Sequence, residues 1–293
     1  MIRRHRLFFL ALLGLGGLST WTFGASDAVV AVLSSDLSPY KEALQGFQEA
    51  YGKIVPVYIL SEGAPPIPSE TRLIVAIGGK AATYHYPPQT TLLYLMAPGT
   101  LVSADERNTP AIKVYMTPSA SIVLHKLKEI QPTLKRLGIL GISKSRDSFN
   151  SELQETGQEL GIQIVIDKLG APNDLPDHLR SLKSKIDALW VSPDPLLLTP
   201  ESFNTMKEFC RSNSIPFYVP TSQLVELGAT GAVTSSFSDI GHSAGKIAKE
   251  FLAGTYKAEK AYPEKFETVL NVTSAKTAGL PLEAQKVADK VIP

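Results

Sequence analysis

Ala28-Val-Val-Ala-Val-Leu33 is a short apolar run rich in β-branched valine, and it begins a pattern that recurs along the chain. Such a run is typical of a strand that is buried on both faces of a sheet. Ser34-Ser-Asp-Leu-Ser-Pro39 ends the run, and apolar residues then recur with helical spacing from Tyr40 through Phe47 to Tyr51. The segment therefore predicts a buried strand followed by a helix.

The same alternation of strand-like and helix-like segments continues through both halves of the chain. Further strands are predicted at residues 54–60, 72–77, 91–96, 111–116, 136–142, 162–166, 187–191, 215–219 and 232–236. Helices are predicted at residues 148–160, 175–186, 200–210 and 239–252. Repeated strand–helix–strand units predict parallel sheets with helices on both faces, because a parallel crossover needs a connection of that size.

The pattern divides near Pro118, which predicts an α/β protein of two lobes joined by a hinge. We expect the first lobe at residues 26–117, with a return segment at about 240–270. We expect the second lobe at residues 118–239, together with part of 271–293.

The first 25 residues have the order of a secretory signal peptide. Arg3, Arg4 and Arg6 precede an uncharged apolar segment at residues 7–18, and cleavage is expected after Gly24. The alternative is an uncleaved anchor, but the apolar segment is shorter than the roughly twenty residues that span a bilayer. We therefore expect export across an inner membrane and a soluble periplasmic protein.

The charge pattern argues against nucleic acid as a partner, and the single cysteine is interpreted as part of the core. The chain has 29 basic and 28 acidic residues, and no basic run with interleaved aromatic residues occurs. Nucleic acid is therefore not an expected ligand. Cys210 is the single cysteine, and its place in a helical apolar pattern predicts a buried small hydrophobic residue.

Ligands of open parallel sheets bind beyond the carboxyl ends of the strands. This rule predicts the following binding residues: Ser34, Ser35, Gly78, Gly79, Met96, Tyr115, Ser143, Asp194, Thr221, Ser222, Ser236 and Phe237. The set is rich in hydroxyl groups and glycine and poor in paired titratable groups, which favours binding of a small polar ligand over acid–base chemistry. For each residue, the alternative is a helix cap or a turn.

Asp194 is the titratable member of this set. It follows a predicted strand and lies between Pro193 and Pro195, where its carboxylate could face a cleft between the lobes. A carboxylate there would pair with a ligand ammonium group. The alternative is an ordinary turn aspartate.

Neither a catalytic centre nor a metal or cofactor site is expected. Gly241-His-Ser-Ala-Gly245 matches the serine-hydrolase motif, but helical spacing runs through it and no histidine follows it. The histidines outside the leader are far apart in sequence, and Gly78-Gly-Lys80 lacks the upstream glycine of a P-loop. A secreted hydrolase that uses Ser243 stays as a distant alternative.

From about Lys113 to its end, the chain resembles the ABC-transporter substrate-binding family that includes tryptophan- and tyrosine-binding proteins. The resemblance lies in Leu124-His-Lys-Leu-Lys-Glu-Ile-Gln-Pro-Thr-Leu-Lys-Arg-Leu-Gly138, Glu159-Leu-Gly161, Asp187-Ala-Leu-Trp190, Ser214-Ile-Pro-Phe217, Gly228-Ala-Thr-Gly-Ala-Val233 with residues 241–254, and Asn271-Val-Thr-Ser-Ala-Lys-Thr-Ala-Gly-Leu280. The first lobe matches mainly through Leu37-Ser-Pro-Tyr40 and Gly46-Phe47. Where family members commonly have Asp-Asn-Thr, this chain has Asp194-Pro-Leu, so only the aspartate matches.

The resemblance implies a type I periplasmic-binding-protein architecture, in which two Rossmann-like lobes close on a small solute. It further implies a monomeric extracytoplasmic solute-binding protein of an ABC importer, with an amino acid as one possible ligand and a membrane permease as partner. The open alternative is a periplasmic sensing subunit that presents ligand occupancy to a receptor or histidine kinase.

Overall fold

A computed structural model describes residues 28–100, 102, 110–142 and 147–293. The described residues form two β-sheets, and buried apolar clusters lie on both faces of each sheet. The predicted fold class, two α/β lobes with parallel sheets, is confirmed. Residues 1–25, predicted to be a signal peptide, lie outside the described residues, and no helix within the described ranges is long and apolar enough to cross a membrane.

The first sheet is parallel throughout, with strand order β11-β5-β4-β3-β1-β2. Its strands are β1 Val29–Leu33, β2 Val57–Ile59, β3 Leu73–Ile77, β4 Thr91–Leu95, β5 Ala111–Val114 and β11 Lys260–Ala261. Alternate β1 residues point to opposite faces, and Val29 and Val30 belong to two different buried clusters. This arrangement confirms that the strand is buried on both faces.

The second sheet has strand order β13-β12-β10-β9-β8-β6-β7. Its strands are β6 Arg136–Gly141, β7 Gln163–Lys168, β8 Ala188–Val191, β9 Phe217–Val219, β10 Gly231–Thr234, β12 Glu267–Asn271 and β13 Lys290–Ile292. Strand β12 pairs antiparallel with β10, whereas the other pairs in the sheet are parallel. The sequence pattern did not predict β12 or β13.

The helices connect these strands and cover the sheets. They are α1 Ser38–Tyr51, α2 Gly79–Thr83, α3 Ala120–Ile130, α4 Asp147–Leu160, α5 Leu175–Leu182, α6 Pro200–Ser212, α7 Ser222–Glu226, α8 Phe237–Leu252, α9 Val272–Thr277 and α10 Ala284–Val287. Thr199 caps α6 by accepting a hydrogen bond from the Ser202 N–H, with Pro200 at the first helical position. This cap is the one that the sequence predicts.

Helices α1 and α8 touch through their backbones in the first lobe. A Cβ placed on Gly241 would lie 1.8 Å from the Ala43 carbonyl oxygen, and one on Gly46 would lie 2.0 Å from the Ser238 carbonyl oxygen. No side chain larger than hydrogen fits at these separations. Glycine spacing in Gly241-His-Ser-Ala-Gly245 therefore serves helix packing.

Ser243 lies within helix α8, as its sequence spacing predicts. Its side chain is buried and its Oγ donates a hydrogen bond of 3.1 Å to the carbonyl oxygen of Asp239, one helical turn earlier. A nucleophile elbow needs a sharp strand-to-helix turn that exposes the serine. Ser243 has neither the turn nor the exposure.

The chain passes between the two sheets after β5, after β10 and after β11. Two of these crossings run side by side, because the Tyr115 N–H donates to the Ala261 carbonyl oxygen at 2.9 Å. Residues 115–119 and 262–266, called the hinge segments below, therefore connect the two sheets side by side.

Candidate ligand-binding cleft

The carboxyl ends of β1 and β3 meet around Gly78. Its φ of 98° lies in the left-handed region, and a Cβ there would lie 2.5 Å from the Ser34 Oγ and 2.8 Å from the Tyr40 ring. Glycine is required at this position for both reasons. The Ser34 Oγ accepts a hydrogen bond of 2.9 Å from the Ala81 N–H, which fixes the turn from β3 into α2.

A cavity of about 860 Å³ opens beyond these strand ends. Its size falls in the range of roughly 300–1,000 Å³ that is usual for small-molecule sites. The polar part of the wall consists of three serines, two tyrosines and a lysine: Ser34, Ser35, Ser61, Tyr40, Tyr84 and Lys80. Pro195 contributes the wall on the side of the second lobe. The large cavity is therefore bordered by both lobes.

A second, much smaller cavity of about 40 Å³ lies next to the hinge. Tyr94 lines it from the first lobe, Tyr115 from the hinge, and Phe149 and Trp190 from the second lobe. A cavity that binds a benzene ring measures on the order of 150 Å³. The small cavity therefore suits ordered water rather than an aromatic ligand.

The protein's own aromatic rings fill the hinge end of the cleft. The Tyr115 ring stacks on Tyr262 at a centroid distance of 4.8 Å and on Phe149 at 5.9 Å. Phe149 in turn contacts Trp190 at 5.9 Å. Beside them, the Ser192 Oγ is buried with no hydrogen-bond partner within the described ranges, which suits an ordered water in the small cavity.

The two cavities are parts of one cleft. On the second lobe, Pro193 borders the small cavity and Pro195 borders the large one. On the first lobe, Gly99 borders the small cavity and Gly79 the large one, and a Cβ placed on Gly79 would lie 3.3 Å from the Thr100 Oγ1. The loops that follow β3, β4 and β8 therefore border the two cavities, which are together called the cleft.

Three tyrosines in and beside the cleft, Tyr40, Tyr94 and Tyr262, are neutral at physiological pH. Burial raises the pKa of Tyr94 to about 12, although a hydrogen bond to the Val102 backbone opposes the shift. Burial also raises the pKa of Tyr40 and Tyr262, and the hydrogen bond from Tyr262 to Glu152 raises the Tyr262 pKa further. These side chains therefore offer ring surface and hydroxyl groups, not charge.

Asp194 lies between Pro193, which borders the small cavity, and Pro195, which borders the large one, and its side chain is 0% exposed. Its Oδ2 accepts a hydrogen bond of 3.1 Å from the Ile142 N–H, and its Oδ1 accepts one of 3.1 Å from the Leu196 N–H. The carboxylate thus holds the loops after β6 and β8 together. Direct contact with a ligand stays a prediction.

The remaining predicted residues are spread over several places. Ser35 and Gly79 line the large cavity and Tyr115 the small one, whereas Met96 is buried in the core of the first lobe. Thr221 precedes α7, and Ser222 begins it. Ser236 caps α8 and Phe237 packs on the first-lobe core. Ser143 lies outside the described residues.

Lys80, Tyr84, Phe149 and Trp190 line the cleft and are absent from the predicted set. Lys80 directly follows the strand end at Gly78-Gly79, so the strand-end rule could have included it. The aromatic residues belong to apolar patterns that core packing explains equally well. No group of three or more potential metal-ligating side chains occurs in the part of the chain that the structure describes.

The model of a known family, described as ABC transporter substrate binding protein, matches residues 119–291. The chain belongs to the ABC transporter substrate binding protein family. The match covers the second lobe, the return through α8 and β11, and the last strands.

Several relatives of this substrate binding protein support the fold. A tyrosine-binding protein of Clostridioides difficile (strain R20291) is 24% identical over 136 residues, which span 45% of this chain and 38% of the relative's own length. An ABC domain from Streptococcus pneumonia, solved in complex with L-Trp, has a TM-score of 0.61 and 18% identity over 90% of this chain and 99% of its own.

The chain is also similar in fold to a substrate binding protein with adhesive properties from Clostridium difficile, which was solved in a ligand-free, open structure. Its TM-score is 0.62 at 17% identity, covering 90% of this chain and 98% of that chain. At such low identity, these solved structures show the two-lobed fold and not the ligand.

Proposed function

We propose that this protein is an extracytoplasmic solute-binding protein of an ABC importer, which captures a small solute between its lobes and presents the closed form to a membrane permease. The observation that carries the proposal is the cleft itself. Its large cavity of about 860 Å³ is lined by the strand-end loops of the first lobe and by Pro195 of the second. A solute seated on the first lobe would therefore lie against the second.

Hinge closure provides the physical link between binding and transport. A ligand stabilises the closed state only to the extent that it makes contacts there that it lacks in the open state. Closure of this kind would bend the connections that follow β5 and β11, which run side by side at Tyr115 and Ala261. Contacts to both lobes then shift the population towards closure.

The names of the relatives point to amino acids with aromatic side chains. One relative is named for tyrosine, and one similar structure holds L-Trp. In this chain, Tyr40 and Tyr84 supply ring surface in the large cavity. We propose a solute with an apolar or aromatic body, and we propose that residues 1–25 direct export and are removed after Gly24.

A cavity-filling variant tests this function. Ser35→Trp places an indole in the large cavity, and Ser69→Trp adds the same group at an exposed first-lobe serine that does not line it. In a thermal-shift screen of small solutes, a ligand that raises the Tm of wild type should raise that of Ser69→Trp but not that of Ser35→Trp. An equal shift in all three proteins would contradict binding in this cleft.

A further inference from the structure

Among the described residues, the charged side chains that line the cleft are cationic. The described lining of the two cavities includes Lys80 and Lys113 and no carboxylate. Lys113 is engaged within the protein, since its Nζ donates to the Thr100 carbonyl oxygen at 3.2 Å and lies 4.8 Å from the centroid of the Tyr115 ring. Lys80 is exposed and makes no ion pair within the described ranges. Among the described residues that line the two cavities, Lys80 therefore carries the charge that faces an incoming solute.

The described carboxylates next to this wall in sequence do not line the cavity. Asp36 pairs with Lys41 at 2.8 Å, and Asp194 is fully buried and accepts hydrogen bonds from the backbone N–H groups of Ile142 and Leu196. Glu62, between the lining residues Ser61 and Gly63, is exposed on the rim and is not among the lining residues. A ligand ammonium inside the large cavity would thus lose water without contacting a carboxylate of the described wall. Desolvation of an unpaired charge is strongly unfavourable.

Apolar and aromatic groups line the rest of the described wall, together with three serine hydroxyl groups. Leu60, Pro195 and the rings of Tyr40 and Tyr84 line the same cavity as Lys80. Because burial raises the pKa of Tyr40, its phenol is neutral and does not repel an anion.

Resting on the proposed function of solute capture, we infer that the ligand is a carboxylate with an apolar or aromatic body and no ammonium group, and that Lys80 binds the carboxylate. Lysine acts here as a point charge that pairs with one or both carboxylate oxygens. The ligand class therefore differs from the amino acids named for the relatives.

Calorimetry with matched probes tests this inference. Each of three bodies is offered as an acid, an amino acid and an amine: 3-phenylpropionate, L-phenylalanine and phenethylamine; 3-(4-hydroxyphenyl)propionate, L-tyrosine and tyramine; indole-3-propionate, L-tryptophan and tryptamine. For at least one body, we expect the acid to bind at least tenfold more tightly than its amino acid, and the amine not to bind. An amino acid that binds as tightly as its acid, or no binding by any acid, would overturn the inference.

Lys80 variants test the assigned contact with the acid that binds best. Lys80→Gln should weaken binding about tenfold, as for a partly exposed charge-assisted contact, and Lys80→Arg should restore part of the loss. Lys53 is an exposed lysine that follows the carboxyl end of α1, so Lys53→Gln should bind like wild type. Wild-type affinity in Lys80→Gln would refute the role of Lys80.

The proposed function and this inference fail in different ways. A neutral or zwitterionic solute that raises the Tm of wild type but not of Ser35→Trp would overturn the inference and leave solute capture intact. Solutes that stabilise both proteins equally would contradict capture in this cleft, whatever their charge.

Discussion

The Tyr262 hydroxyl donates a hydrogen bond of 2.6 Å to the Glu152 carboxylate, which joins the hinge segment after β11 to helix α4 of the second lobe. The other carboxylate oxygen of Glu152 pairs with Lys260 on β11, an edge strand of the first sheet. One side chain of the second lobe thus holds two residues of the return segment. These bonds connect the segment after β11 to the second lobe, and the Tyr262 ring stacks on the Tyr115 ring.

Removal of the Tyr262 hydroxyl should destabilise the protein more than removal of the Glu152 charge. Tyr262→Phe loses a partly buried, charge-assisted hydrogen bond, and we expect a loss of about 1–2 kcal/mol in the free energy of unfolding. Glu152→Gln keeps an acceptor for Tyr262 and loses the partly exposed ion pair with Lys260, for which about 0–1 kcal/mol is expected. Urea denaturation measures both values. The reverse order would show that the ion pair dominates.

Asp194→Ala should weaken binding of every ligand that the cleft accepts. Its carboxylate fixes the loops after β6 and β8, so we expect the free energy of unfolding to fall by about 1–3 kcal/mol. We expect the affinity for acids and the affinity for amino acids to fall by the same factor. A direct contact with an ammonium group would instead confine the loss of affinity to amino acids. Calorimetry with 3-phenylpropionate and L-phenylalanine separates the two outcomes.

Gly241→Ala should disrupt the first lobe, whereas Ser243→Ala should be tolerated. The new methyl group at position 241 would collide with the Ala43 carbonyl oxygen and push α1 from α8, for which we expect a loss of about 1–3 kcal/mol or more. Ser243→Ala removes one hydroxyl that bonds to its own helix, so a change below about 1 kcal/mol is expected. Comparable losses in the two variants, measured by thermal denaturation, would contradict the close helix contact.

Because the pKa of Tyr94 is raised in the folded protein, the free energy of unfolding should fall as the pH rises from about 10 to about 12. The ordinary tyrosine pKa of 10.0 applies to the unfolded chain, and burial raises the folded value to about 12. In this window the unfolded state has released its proton and the folded state has not, so unfolding is favoured; below pH 10 the effect is absent. The stability of wild type relative to Tyr94→Phe should therefore be constant up to about pH 10 and then fall. A constant difference across the whole range would show that the Tyr94 pKa is unshifted.

The fold could be predicted from the sequence because its signals are local. Valine-rich runs such as residues 28–33 identify strands buried on both faces, and Thr199-Pro200 identifies the start of a helix. Strand β12 could not be predicted in this way, because its antiparallel pairing with β10 depends on the path of the chain after the hinge. No local pattern around Glu267 records that path.

The candidate site could be predicted only in part. The strand-end rule places Ser34, Ser35 and Gly79 on the cleft wall, since it follows from sheet geometry alone. It does not reveal side-chain direction, and Met96 turns into the core although it follows β4 directly. For Asp194, the sequence gives the place between the cavities but not the backbone N–H groups that occupy its oxygens.

Closure of the lobes on a solute is most directly tested by a distance between two labels. Burial raises the pKa of the Cys210 thiol, so cysteines introduced by Glu62→Cys and Leu196→Cys, one on each rim of the cleft, can be labelled selectively. A control pair, Lys53→Cys and Glu62→Cys, lies within the first lobe. With saturating ligand, we predict a shorter distance across the cleft and an unchanged distance in the control pair. An unchanged distance across the cleft, with the same ligand bound, would contradict it.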